Sequence, residues 1–152
     1  MAFARTRIVD FMNRYFRAYS TVAQSQETTH EMEAFYSPDL KVTLFFPQRA
    51  VLNREQFLLV SSSHPNIRET LIPEHIIADD AAAMAAALVR GELTVKETNE
   101  LVLQIMFTAH YRLIADENNT MKIGDLWISS ENVPPGQPDI ASLYADAFKK
   151  LQ

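Results

Sequence analysis

The chain has 152 residues, of which 47% are hydrophobic, and a formal net charge of -5, which allows one domain with its own core. No apolar run approaches the roughly 18 residues of a membrane span, and early arginines argue against a signal peptide. The absence of cysteine excludes disulfides and favours a cytoplasmic location. The acidic balance, without a lysine-rich stripe, argues against nucleic acid as a partner.

The first predicted element is a long amphipathic helix with a wide aromatic face. Apolar residues recur at helical spacing from Ile8 to Val22 and include Tyr15 and Tyr19. Thr28 and Glu31 have the spacing of a capping box and predict a short second helix through "EMEAFY". The motif "SPD" then predicts a turn that ends this helix.

Two extended segments flank a third predicted helix. "LKVTLFF" alternates as a strand, with Val42, Leu44 and Phe46 on one face. Asn53, followed by Gln56, is a cap signal for the helix "REQFLLVSSS". "IRETLIPEHIIA" is β-branched and extended, and its proline predicts an edge strand or a bulge.

The strongest predicted strand is "LVLQIMFTAHYRLIA". Its alternation places Phe107 and Tyr111 on an apolar face and His110 on the opposite face. After the turn "DENN", the strand "TMKIGDLWIS" returns and carries Asp125 and Trp127 on one face together. A linker and a short tail helix follow. Because helices and strands are segregated along the chain, the fold class is α+β.

The alanine-rich stretch "DDAAAMAAALVRGELTV" is ambiguous between helix and strand. Alanine is the best helix former, yet Val89, Leu93 and Val95 alternate with polar residues directly afterwards. Nothing breaks the chain between Ala81 and Val89, and the long strand from Leu101 to Leu113 needs a partner of matching length. We therefore predict a strand over Ala81–Val95, antiparallel to that strand.

This element order resembles the nuclear transport factor 2-like fold, including its SnoaL-like and ketosteroid isomerase-like members. The resemblance is carried by "FMNRYFRAY", "FYSPDLKVTLFF", "NREQFLLV", "AALVRGELTV", "VLQIMFTAHYRL" and "MKIGDLWIS". It implies a single domain over residues 1–152, with a core of about 5–130 and a linker and tail helix over 131–152. It also implies a strongly curved mixed or antiparallel sheet, wrapped around the long N-terminal helix as a cone with a pocket at its mouth.

The catalytic positions of the resembled enzymes are only partly present. Isomerase-like members carry an acid just before a proline after the first strand, where this chain has Phe46, and another acid on the long strand, where it has Ala109. Their helix tyrosine is matched by Tyr15 or Tyr19. Related epoxide hydrolases use an arginine and an acid two residues apart, as in "RGE", plus an acid on the last strand, where this chain has Ile128.

Two residues are candidates for acid–base chemistry. His75 lies among apolar neighbours and would act as a general base if it faces the pocket, although a hydrogen-bonded histidine on a sheet face is the more ordinary interpretation. Asp125 is the best carboxylate near an apolar face, with an exposed strand residue as its alternative. No histidines have metal-ligand spacing and no glycine-rich phosphate loop exists, so neither a metal nor a cofactor is expected.

The predicted function is binding of a small hydrophobic or aromatic molecule inside the cone. The first alternative is a SnoaL-like acid–base enzyme that acts on a hydrophobic carbonyl compound. The second alternative is a purely structural dimer module. The expected ligand-contacting residues are Tyr15, Tyr19, Phe46, Phe107, Tyr111 and Trp127. A homodimer through the outer sheet face is also expected, because Met84, Ala86, Leu88, Met106 and His110 form an apolar patch there.

Overall fold

The computed structural model describes residues 3–45, 49–131, 136 and 140–152, and for residues 140 and 141 it describes the backbone alone. The helices and strands are α1 (Arg5–Tyr19), 3₁₀ helices at Val22–Gln24 and Thr29–Ala34, β1 (Tyr36–Leu44), β2 (Ala50–Leu52), α2 (Arg54–Ser62), β3 (Ile67–Asp79), β4 (Met84–Val95), β5 (Leu101–Ala115), β6 (Met121–Ser130), α3 (Ile140–Leu143) and α4 (Ala145–Lys149). This order confirms the predicted α+β class.

The strands form one mixed, open sheet in the order β2-β1-β6-β5-β4-β3. β1 and β6 pair in parallel, and every other neighbouring pair is antiparallel. The inner face of the sheet packs against the apolar stripe of α1. That stripe is fully buried and consists of Ile8, Phe11, Met12, Tyr15, Phe16 and Tyr19, as the helical spacing predicted.

The alanine-rich stretch is a strand, which confirms the prediction and its antiparallel pairing with β5. The strand begins at Met84 rather than Ala81, because the chain turns through the preceding residues and Ala83 has a φ of 52°. Ala85 and Ala87 are buried on the inner face, opposite Tyr111 and Ala109 of β5. Long-range pairing therefore overrides the helix propensity of alanine.

The second predicted helix was wrong in type and extent. Thr28 makes no side-chain capping bond, and the segment is a 3₁₀ helix that ends at Ala34. The predicted turn at Ser37-Pro38-Asp39 is also wrong, because β1 already begins at Tyr36. A register shift between Tyr36 and Lys41 leaves the proline outside regular pairing with β6.

Local signals elsewhere were accurate. Asn53 and Gln56 form the predicted capping box at the start of α2. β3 is an edge strand, and its pairing with β4 shifts register between Pro73 and His75, which confirms the prediction from the proline. None of the described helices has the length and apolar character needed to span a membrane.

The outer face of the sheet carries exposed apolar side chains. The β-ladder register aligns Ile77, Ala86, His110 and Trp127 across four strands. Ile77 is 69% exposed, and the neighbouring Leu88 is 36% exposed. The alternation along β5 therefore predicted correctly that His110 points away from the core.

Candidate functional site

A cavity lies between the C-terminal half of α1, helix α2, the inner face of the sheet and the tail. Its volume is about 90 Å³. Most of its lining is aromatic or aliphatic, and the aromatic residues are Tyr15, Phe16, Tyr19, Phe57, Phe107, Tyr111, Tyr144 and Phe148. An apolar concavity with few polar groups is the usual form of a small-molecule site.

Glu69 is the acidic residue among the described residues that line this cavity. It lies on β3 in phase with Ile67 and Leu71, so its side chain points inward, and only 8% of its surface is exposed. None of the ion pairs between described residues includes Glu69. A carboxyl group is therefore buried in an apolar site without a cationic partner, which is costly when the group is ionised.

Burial raises the pKa of the Glu69 carboxyl from 4.5 to about 7. Hydrogen bonds from Tyr144 and Tyr19 act in the opposite direction, because they stabilise the carboxylate. The Tyr144 hydroxyl lies 3.2 Å from Glu69 Oε2, and the Tyr19 hydroxyl lies 3.5 Å from the same oxygen. The balance leaves a group that exchanges a proton near neutral pH.

Both tyrosines contact one oxygen of Glu69, and no described residue donates a hydrogen bond to Oε1. Among the described residues, Ser130 Oγ is the side-chain polar atom that is inaccessible to solvent and has no hydrogen-bond partner. Oε1 has no hydrogen-bond partner among the described residues, and Glu69 lines the cavity. One carboxyl oxygen is thus held by two phenol groups, while the other has no donor among the described residues.

The edge strand β3 is held against the end of α1 by two side chains. The Glu69 amide donates to Gln24 Oε1 at 2.8 Å, and the Leu71 amide donates to Ser20 Oγ at 2.9 Å. Gln24 also donates to the Tyr19 carbonyl at 3.0 Å. These bonds satisfy amides that an edge strand would otherwise leave unpaired, and they fix Glu69 beside Tyr19.

The tail closes one side of the cavity. Tyr144 is 5% exposed and reaches Glu69, while Phe148 of α4 is half-buried against the same space. The Tyr144 ring packs edge-on against the ring of His64, with centroids 5.6 Å apart. The tail is therefore part of the candidate site.

Phe107 forms part of the cavity wall and lies over Gly91. A Cβ atom at Gly91 would lie 2.3 Å from Phe107 Cε2, which is too close for any side chain. The glycine lets the aromatic ring pack against the backbone of β4.

Four of the predicted ligand-contacting residues line this cavity, namely Tyr15, Tyr19, Phe107 and Tyr111. Trp127 does not, because it pairs with His110 on the outer face of the sheet. Phe46 lies outside the described residues.

The structure does not bring His75 and Asp125 together. His75 is exposed on the edge strand β3, beyond the bulge. Asp125 lies on β6, separated from β3 by two strands, and forms an ion pair with Arg112. Neither residue lines the cavity.

Glu69 was missed because the segment "IRETL" was interpreted only as an extended strand. The available signal was the alternation itself, since Glu69 shares its phase with Ile67 and Leu71. An acid in the apolar phase of a strand is uncommon and marks either a partner or a function. In the part of the chain that the structure describes, no group of three or more His, Asp and Glu side chains is placed to hold a metal ion.

No protein-family model matches the chain, and no curated protein matches it. Solved structures do match. AusH from Aspergillus nidulans has a TM-score of 0.63 at 12% identity, over 86% of this chain and 88% of its own. A ketosteroid isomerase-like protein from Erwinia carotovora atroseptica has a TM-score of 0.59 at 13% identity, over 85% and 97%.

A nuclear transport factor 2-like protein of unknown function from Silicibacter pomeroyi is similar over 85% of this chain and all of its own, with a TM-score of 0.58 and 7% identity. At such identities the likeness shows the fold. The chain therefore has the nuclear transport factor 2-like fold, of the kind found in ketosteroid isomerase-like proteins, which its sequence predicted.

Proposed function

We propose that this protein binds a small hydrophobic molecule in the cavity and exchanges a proton with it through Glu69. The observation that carries the proposal is the buried carboxyl of Glu69, whose pKa of about 7 lies where proton transfer is most effective at neutral pH. An apolar wall binds the body of the ligand, and one anchored carboxyl group acts on it. The arrangement supports an acid–base enzyme better than a passive carrier.

The chemistry that suits one carboxyl group is transfer of a proton between two positions of a carbonyl compound. In the ionised form, Oε1 takes a proton from a carbon next to the carbonyl, and the electron pair of that C–H bond forms a C=C bond while the carbonyl π pair moves onto oxygen. In a β,γ-unsaturated ketone the intermediate is a dienolate. As its oxygen re-forms the carbonyl, the π electrons shift along the chain, the γ carbon takes the proton back from Glu69, and the C=C bond ends in the α,β position. No net charge or redox change is required, so a hydrophobic carbonyl compound is the proposed substrate class.

Two observations support this class. Tyr19 and Tyr144 hold Glu69 Oε2, which leaves Oε1 without a donor among the described residues that line the cavity. One of the solved structures with this fold is a ketosteroid isomerase-like protein. The first observation concerns this chain itself and carries more weight, since a shared fold does not fix a reaction.

The first test is the pKa of Glu69 itself, measured by NMR on protein with labelled glutamate carboxyl carbons and assigned with Glu69→Gln. We expect a value near 7. An ordinary value near 4.5 would remove the basis of the proposal.

The second test follows deuterium uptake from D₂O into the carbons beside the carbonyl of phenylacetone. We expect the protein to accelerate this exchange and Glu69→Gln to lower the acceleration by roughly 100-fold or more, the usual contribution of a general base. Glu92→Gln is the matched control, because Glu92 lies on β4 and pairs with Arg90 away from the cavity. Equal exchange in the wild type and Glu69→Gln would contradict the role of Glu69.

Binding without chemistry is the second candidate function. It is favoured by the aromatic lining, in which most polar atoms already have protein partners. Glu69→Gln distinguishes the two functions. A protein that only binds shows no exchange activity in the wild type, and its affinity for apolar ligands is unchanged in Glu69→Gln.

A further inference from the structure

Tyr111 has a buried hydroxyl group for which no described residue is a hydrogen-bond partner. The residue is 2% exposed and lines the cavity. None of the hydrogen bonds between described residues involves the Tyr111 hydroxyl. Among the described residues, the side-chain polar atom that is inaccessible to solvent and has no hydrogen-bond partner is Ser130 Oγ, not the Tyr111 hydroxyl. The Tyr111 side chain thus borders the cavity with a hydroxyl that has no hydrogen-bond partner among the described residues.

The other hydroxyl groups of the lining are already engaged. Tyr15 pairs with the Tyr36 hydroxyl at 3.2 Å, and Ser61 donates to the Phe57 carbonyl. The hydroxyls of Tyr19 and Tyr144 reach Glu69 Oε2. Among the described lining residues, two polar side-chain groups are thus left for a ligand, which are Glu69 Oε1 and the Tyr111 hydroxyl.

The Tyr111 ring is held in place by its neighbours. Its centroid lies 5.7 Å from that of Tyr15 and 6.1 Å from that of Phe16, and both contacts are edge-on. On the sheet it stands opposite Ala85 of β4 and Leu126 of β6. Burial raises the pKa of this phenol well above its ordinary value, so the hydroxyl remains protonated and able to donate.

We propose that the Tyr111 hydroxyl is a hydrogen-bond donor for the ligand, and that the cavity selects neutral apolar molecules that carry an acceptor oxygen, such as a carbonyl. A donor left unpaired in an apolar cavity costs free energy, which a ligand acceptor recovers. Tyr111 is then a specificity-determining residue: it distinguishes a ketone from a hydrocarbon of the same shape. The inference rests on the proposed function only in that both place the ligand in this cavity.

The test is a cycle of two proteins and two probes. Acetophenone and cumene have nearly the same shape, but only acetophenone carries a carbonyl oxygen. Each is titrated by calorimetry into the wild type and Tyr111→Phe at about pH 8.5, where Glu69 is ionised and has no proton to donate. We expect Tyr111→Phe to weaken acetophenone binding by roughly three- to tenfold and to change cumene binding by less than about twofold.

Ser62→Ala is the matched control, since it removes a buried hydroxyl that donates to the Leu58 carbonyl at 2.7 Å and does not line the cavity. It should leave the ratio of the two affinities unchanged. The carbonyl stretching frequency of bound acetophenone provides a second readout, because a hydrogen bond lowers it in the wild type and not in Tyr111→Phe. This frequency would not respond to a loss of shape alone.

An equal effect of Tyr111→Phe on both probes, or no effect, would overturn the inference while leaving the Glu69 proposal intact. Failure of both probes to bind the wild type would also overturn it, because the cavity would then not admit such molecules. Conversely, an ordinary pKa of Glu69 would refute only the proton-transfer function if Tyr111→Phe still weakened acetophenone binding more than cumene binding.

Discussion

Glu69 reduces the stability of the folded state at neutral pH. The unfolded chain ionises this group at pKa 4.5, whereas the folded chain retains its proton up to about pH 7. Between these values the folded state binds more protons than the unfolded state, so the free energy of unfolding falls as the pH rises. The difference corresponds to about 3 kcal/mol once both states are ionised. Such a cost is typical of groups retained for function.

Glu69→Gln should remove this pH dependence. Glutamine still accepts hydrogen bonds from Tyr19 and Tyr144 but has no proton to lose. We expect the variant to be more stable than the wild type by about 3 kcal/mol at pH 8 and equal to it near pH 4. Urea unfolding across this pH range measures the difference. A Glu69→Gln profile parallel to that of the wild type would contradict the raised pKa of Glu69.

At the scale of elements, strands β4 and β5 pack closely at Gly91, where the ring of the cavity-lining Phe107 lies over the glycine. Gly91→Ala would place a methyl group 2.3 Å from Phe107 Cε2, so the ring must move or the strands must separate. We expect a loss of roughly 1–3 kcal/mol in the free energy of unfolding, as for other overpacked sites, and weaker binding of cumene. Denaturant unfolding and calorimetric titration measure the two effects.

Gly124→Ala is the control for this substitution. Its new methyl group would meet the end of the Arg112 side chain at 3.1 Å and the Ile114 Cγ2 atom at 3.2 Å, away from the cavity lining. A flexible arginine tip moves at little cost. We expect cumene affinity to be unchanged, and comparable losses of affinity in both glycine variants would show that Phe107 does not mediate the effect.

The tail helix α4 limits what the cavity can hold. A volume of about 90 Å³ is smaller than the cavity of about 150 Å³ that holds benzene in an engineered core, so an aromatic ligand must displace part of the lining. Phe148→Ala should create this room and tighten cumene binding by roughly three- to tenfold. Leu151→Ala truncates another half-buried residue that packs against the core but does not line the cavity, so it should leave cumene affinity unchanged. Weaker binding in Phe148→Ala would instead make Phe148 a direct ligand contact.

The elements that were predictable from sequence are those encoded by neighbouring residues or by long alternation. The capping box at Asn53 and Gln56 was correct because both hydrogen bonds are local. The similar spacing at Thr28 failed because the chain enters a 3₁₀ helix and then β1, an outcome decided by tertiary packing. The contact of Tyr144 with Glu69 joins residues 75 positions apart and has no local signal.

At the scale of the whole molecule, we expect two copies to pair through the outer face of the sheet. Ile77 and Leu88 are exposed there. Arg90 forms ion pairs with Glu74 and Glu92, and Arg112 forms one with Asp125, so these charges of the face are paired within the chain. Two copies related by a two-fold axis would meet with an apolar centre flanked by these ion pairs.

Sedimentation of the unmodified protein at tens of micromolar should show a dimer, as a specific interface requires. Ala86→Glu places like charges at the centre of the aligned row and should yield monomer. Gln26→Glu adds the same charge at an exposed site away from the sheet and should remain dimeric. A monomeric wild type would exclude this interface.

Which face of a strand points inward was the main limit of prediction from sequence. Alternation placed Asp125 and Trp127 on one face together, which is correct, yet it does not say whether that face meets the helices. On β5 one face carries the longer run of apolar residues, which indicated that this face points inward, and Phe107 and Tyr111 were correctly assigned to it. On β6 both faces are partly apolar, so the neighbouring strands decide, and sequence alone does not supply their registers.

The distribution of aromatic residues gives this protein two separate optical reporters. All five tyrosines are buried around or beside the cavity, while the single tryptophan, Trp127, lies on the outer face. Tryptophan fluorescence should therefore respond to association of two copies, and tyrosine absorbance to occupation of the cavity. Since burial raises the pKa of all five phenols well above the ordinary value, phenolate absorbance on alkaline titration should appear only as the chain unfolds.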